Sequence, residues 1–97
     1  MTGNDEGLNR DHAEQRLTIL AAIDEALRRH AEVLPLIAGA EDQSAARSAI
    51  GALLRIEETA ATAVLALQWS DLTHSRRAVI AAERAQLEAY LAARRPS

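Results

Sequence analysis

Cysteine is absent from the 97 residues, and disulfides, thiolate metal sites and cysteine nucleophiles are excluded with it. Phenylalanine is also absent, and one tryptophan and one tyrosine are the only aromatic residues. Three valines and six isoleucines stand against 22 alanines and 13 leucines. Strands draw on β-branched and aromatic residues while alanine is the best helix former, so an all-β domain is excluded. Four glycines and two prolines leave few places where the backbone is told to turn, which favours a handful of helices joined by short loops. No apolar run approaches the roughly 20 residues needed to cross a bilayer, and Met1 to Gly7 is polar and acidic rather than basic and then apolar. Neither membrane insertion nor secretion is supported, and a cytoplasmic protein is the simple expectation.

The length admits one domain, because compact domains usually run to about 100 to 150 residues. Fourteen acids against 11 bases give a formal charge of −3, so non-specific attraction to nucleic acid or anionic lipid is weak on average. All 11 bases are arginine, which with the alanine excess points to GC-rich coding bias more than to a guanidinium function. A chain this short buries only about 60 to 65% of its unfolded surface, and alanine adds little apolar area. Burial against a second copy is the usual remedy, so a homodimer is expected.

Along the chain, Leu17, Leu20, Ile23 and Leu27 recur at three- and four-residue steps and predict an amphipathic helix from about Asp11 to Arg29. Residues 1 to 8 have nothing to pack with and are expected to form a disordered tail, leaving 9–95 as a single helical domain. Pro35 predicts a kink or a short restarted helix through Val33, Leu34, Leu36 and Ile37, closed by Gly39. Asp42 is a natural cap for a third helix with Ala46, Ala49, Ile50, Leu53 and Leu54 on one face, and Gly51 within it suggests close approach by another backbone. After a break at Arg55 to Glu57, the run from Glu58 to Trp69 is apolar on almost every side and predicts a central helix surrounded by protein. Thr73 caps a last long helix on Val79, Ile80, Leu87, Tyr90 and Leu91, running to about Arg94. The expected architecture is all-α, with the two long helices antiparallel as a short stalk, three shorter helices as a compact head, and dimerisation through the head.

Candidate chemistry is thin. His12, His30 and His74 share no spacing that would put two ligands on one helical face, and surface or cap positions account for them. The acid pairs Asp24–Glu25, Glu41–Asp42 and Glu57–Glu58 diverge by about 100° on a helix, so they fit solvated faces and helix starts. There is no phosphate loop, no nucleophile elbow and no zinc-ligand set, so no metal, cofactor, small-molecule substrate or catalytic residue is expected. Arg76, Arg77, Arg84, Arg94 and Arg95 suggest a nucleic-acid stripe, but Glu83 and Glu88 interrupt it and Arg84 to Glu88 is an ordinary i to i+4 pair. Trp69, a single large aromatic at the end of an apolar helix and followed by Ser70 and Asp71, has the composition of an interface anchor with a wet rim. Its other reading is filler of the single-chain core.

Three runs together carry a resemblance: RLTILAAIDEALRRHAEVLPLIAGAED (Arg16 to Asp42), SAARSAIGALLRIEETAATAVLALQWSDLT (Ser44 to Thr73) and RAVIAAERAQLEAYLA (Arg77 to Ala92). In order and spacing they resemble the exit-gate segment found in the A subunit of DNA gyrase and in its topoisomerase IV counterpart. There an ILxxLxxAL-type helix leads through an IDxVIxLIR-type turn to a capped helix, a central LSExQAxAILDMRLxxLT-type helix and a final long helix. This chain differs at Ala66 and Gln68, where the family has an aspartate and an arginine, at Trp69 for leucine, at Glu57 for a capping serine, and at Arg76 for a box-completing glutamate. The winged-helix tyrosine, its neighbouring arginine, the metal site and the DNA-wrapping β-pinwheel of the family are not represented, and Tyr90 reads as an amphipathic packing residue.

The resemblance places the end of the central helix at a dimer contact, which favours the interface reading of Trp69. It implies an interface built from Val64, Leu65, Leu67, Gln68, Trp69 and Leu72. The expectation is a non-catalytic, homodimeric interaction module of exit-gate type, whose partner is a gyrase-type A subunit with an activity that it modulates. The alternatives are a homodimeric helical module with no topoisomerase link and, against the charge balance, a small DNA-binding protein.

Overall fold

Each regular element in the computed structural model, which describes residues 2–94 and the surroundings of side chains from Arg10 onward, is helical. The order is α1 (Thr2–Arg28), α2 (His30–Gly39), α3 (Gln43–Leu54), α4 (Glu58–Leu65), a 3-10 turn over Trp69–Leu72, and α5 (His74–Ala93). Among the described residues there is no strand.

Local signals account for most of the boundaries. The Asp42 side chain accepts the Ala45 amide at 2.8 Å and starts α3, and Thr73 Oγ1 accepts the Arg76 amide at 3.3 Å and starts α5. The first helix gives way at Arg29 (φ −105°, ψ 31°), where the chain restarts as α2 with Pro35 inside it. Pro35 has no N–H to offer Ala31, yet the helix runs on through it to Gly39.

Four expectations are corrected. The backbone is helical from Thr2 rather than from about Asp11, since a nucleated helix propagates at little cost; Met1 and Arg95 lie outside the described residues. Gly39 does not close α2 from outside, because it is the last helical residue and extended Ala40 follows. The left-handed stop is made instead by Arg55 (φ 56°), whose amide and that of Ile56 both turn back to the Gly51 carbonyl, the latter at 3.1 Å. The backbone approaching Gly51 is therefore the chain's own loop, with the Ile56 carbonyl oxygen 3.4 Å from where a Cβ would lie. Finally, α4 ends at Leu65 instead of Trp69 because Asp71 captures the Gln68 amide at 2.8 Å and winds the following residues into a separate 3-10 turn.

The core is built on alanine. Ala22 and Ala26 of α1, Val33 of α2, Ile50 of α3, and Ala60, Ala61 and Val64 of α4 form one buried cluster. Small side chains let α1, α3 and α4 approach closely, and Ile50, fully enclosed, fills the space between them. The central helix is nevertheless not enclosed: Thr59, Thr62 and Ala66 are exposed.

A second seam joins α1 to α5, which run antiparallel: His12 shares a depression with Tyr90, and Asp24 reaches Arg84. Here the expectation of a solvated Asp24 fails. Asp24 is 3% exposed, and its Oδ2 takes the Arg84 Nη1–H bond at 3.0 Å and lies 3.3 Å from Arg28 Nη2. Arg84 also meets Glu88 at 3.3 Å, so the expected i to i+4 pair is present but subordinate to a bond across helices. The hydrogen bond to Asp24, with help from Glu88, raises the already high Arg84 pKa.

Candidate functional site

Beyond the break at Arg29, a groove lies between the C-terminal end of α1, α2, α4 and the 3-10 turn. It holds about 230 Å³. Ala26, Leu27, Val33 and Ile37 line one side, and Leu65, Leu67 and Leu72 the other; His30 and Gln68 are the only polar members. All six residues of the expected interface border this one groove.

They do not contribute equally. Val64 is buried in the chain's own core and forms only the floor, whereas Leu65, Leu67 and Leu72 are half-buried and Gln68 is exposed. Trp69 is 86% exposed, which removes the reading that it fills the single-chain core. The described residues include three exposed large hydrophobics, Leu34, Trp69 and Val79, and two of them border the groove. Exposed apolar side chains that cluster around a concave apolar surface are the mark of a contact site.

The Trp69 rim is held from outside the groove. Asp71, besides capping Gln68, accepts Arg76 Nε at 3.3 Å and so ties the 3-10 turn to the first turn of α5. At the start of α2, Arg29 Nε and Nη2 clasp Glu32 at 2.8 and 2.9 Å. That bond holds the Glu32 carboxyl below the usual glutamate value and raises Arg29 further.

The expected interface residues all stand on the α4 side of the groove, and the wall made by α1 and α2 was not among the sequence expectations. The signal was present: Ala26, His30, Val33 and Ile37 continue one three- and four-residue rhythm, but they span the Arg29 break and read as two unrelated segments.

The remaining candidates are dispersed. His12 and His74 are exposed on different helices, and His30 is half-buried at the groove. Among the described residues no group of three His, Asp or Glu side chains is arranged to hold a metal ion, and no helix is long and apolar enough to cross a membrane. Tyr90 is half-buried, with the Arg94 guanidinium 3.8 Å over its ring, a cation–π contact. Of the α5 arginines, Arg76 engages Asp71 and Arg84 engages Asp24 and Glu88, while Arg77 is half-buried with its Nε unpartnered; Arg94, just past α5, lies over Tyr90.

No protein-family model matches the chain. It is similar to the DNA gyrase A subunit of Nocardioides sp. (strain ATCC BAA-499 / JS614), with 38% identity over 80 residues that cover 82% of this chain. The matched stretch is 9% of that protein's length. Over it, the chain is related to a segment of the gyrase A subunit.

Proposed function

We propose that this chain is a non-catalytic dimerisation module of exit-gate type, in which two copies meet through the groove and its Trp69 rim. In this reading α1 and α5 are the stalk, α2 to α4 with the 3-10 turn are the head, and the module acts in the cytoplasm on a gyrase-type topoisomerase by pairing with its A subunit. The observation that carries it is the 86% exposure of Trp69 beside an apolar groove bordered by the whole set Val64, Leu65, Leu67, Gln68, Trp69 and Leu72. Relatedness to a segment of the gyrase A subunit supports the topoisomerase connection.

Trp69 lends itself to a clean test, because a side chain so exposed is replaceable without opening the core. Light scattering of the unmodified protein at micromolar concentration should give twice the 10.5 kDa of one chain. Trp69→Glu should halve that mass while leaving the helical circular dichroism unchanged, since both copies lose the contact at a two-fold interface. A monomeric unmodified protein sinks the proposal.

The topoisomerase connection is tested separately, by titrating the cognate gyrase with this protein while following supercoiling and the mixed species by native mass spectrometry. Falling activity with a mixed species supports it. Unchanged activity and no mixed species at large excess favours an independent homodimer, with Ala66, Gln68 and Trp69 matching the chain only to itself.

A further inference from the structure

Trp69, the one tryptophan of the chain, stands 86% exposed on the rim, and the groove beside it is open. Projection and recess thus lie side by side on one surface. In a two-fold contact each copy returns what it receives, so an axis passing between Trp69 and the α1/α2 wall sends both indoles into facing grooves at once. Size permits this. An apolar cavity of about 150 Å³ binds a benzene ring, and this groove holds about 230 Å³.

Polarity narrows the fit further. Indole carries one N–H donor and no acceptor, and when buried it needs an acceptor to meet it. Among the described residues no charged side chain lines the groove, and its polar members are His30 and Gln68. The Gln68 side chain already accepts the Asp71 amide within the 3-10 turn, so the acceptor left on the opposite wall is the His30 imidazole, one nitrogen of which accepts when the ring is neutral.

Resting on the dimer proposed above, we infer that the two copies exchange tryptophans: Trp69 of each enters the groove of the other, and its indole N–H donates to the partner's His30. Each indole withdraws about 150 to 250 Å² and covers groove wall besides, so the exchange supplies roughly half of the 1,200 Å² at which specific interfaces begin. Leu34, Leu65, Leu67 and Leu72 border the same contact and add to it. Two tryptophans stacked rim to rim would instead leave both grooves wet.

The experiment mixes two variants that are each half-competent. Trp69→Ala keeps the groove, lacks the indole and is dark in tryptophan fluorescence, while Leu34→Glu keeps the indole and sets a carboxylate at the mouth of its own groove. Both sites are exposed, so both variants should keep the helical circular dichroism. Each alone should dimerise poorly. Mixed, they should form a heterodimer at least about tenfold tighter than either homodimer, because one complete exchange is restored. Titrating the dark chain into Leu34→Glu should shift the tryptophan emission to shorter wavelength as native mass spectrometry shows the mixed species. Placing His30→Leu in the dark chain should weaken that heterodimer about tenfold, since the buried N–H loses its acceptor, and His30→Gln should restore part of the loss.

A dimeric unmodified protein whose two variants give no emission shift and no preferred heterodimer overturns the exchange and leaves dimerisation standing. A monomeric unmodified protein removes both. Equal binding by the His30→Leu chain overturns the hydrogen bond.

Discussion

The two contact regions of α1 differ in kind. Toward α3 and α4 it presents Ala22 and Ala26 to a cluster in which four of seven buried members are alanine and none is charged. Toward α5 it presents leucines at heptad spacing with Asp24 and Arg84 among them. Close-packed alanine gains little from burial per side chain, but it permits one docking only, because the helices fit where the small residues lie and clash elsewhere. The leucine seam gains more area, and the Asp24–Arg84 bond sets a buried charged contact among its leucines. One helix therefore uses shape on one face and charge on the other.

The largest expected effect tests the alanine side. Ile50 is the one large side chain fully enclosed in the head, so Ile50→Ala should cost about 2 to 5 kcal/mol, the range for a buried aliphatic residue whose cavity collapses only partly. Leu87→Ala in the half-buried seam should cost less than half as much, because solvent already reaches its site. Urea denaturation of the two variants side by side decides. Equal losses would break the comparison, since the seam would then be as tightly packed as the head.

Which parts of this were legible in the sequence follows from how local their causes are. Asp42 and Thr73 act on amides three residues away, and both caps were readable from residue type and position. The left-handed stop at Arg55 was not, because arginine carries no preference for that conformation and the turn rests on two amides reaching Gly51. Asp24 was misread for a different reason. Its partner lies 60 positions along the chain, and beside Glu25 it resembles any solvated acid. Its place in the Leu17, Leu20, Leu27 rhythm, matched by that of Arg84 between Ile80 and Leu87, was the available signal. The groove shows the same division. Its α4 side lies in one continuous segment, while its other wall is assembled across a helix break.

A smaller effect of opposite sign sharpens the account of the head. Glu57 precedes α4 with extended geometry (φ −74°, ψ 165°), yet its side chain makes no capping bond. Glu57→Ser puts a short hydroxyl at that position, within reach of an amide that α4 leaves open. The variant should gain about 1 kcal/mol, readable as a higher urea midpoint with unchanged slope. No gain would mean that α4 is held so firmly by Ala60, Ala61 and Val64 that its first turn is already saturated.

The smallest effect concerns charge at the rim of the head rather than within the seam. Arg29 clasps Glu32 with two hydrogen bonds, and the resulting depression of the Glu32 pKa below its ordinary 4.5 outweighs the opposing effect of desolvation. Because the folded value lies below the unfolded one, the pair's contribution is fully present above about pH 4.5 and is lost as pH falls through the folded value. Both groups face water, so the contribution is modest and weakens with salt. Thermal melts of the unmodified protein and Glu32→Gln between neutral and acid pH should show a small gap at neutrality that closes below about pH 4.5 and narrows in high salt. A gap that persists unchanged into acid would detach the stabilisation from the carboxylate's charge, since glutamine keeps the same stem.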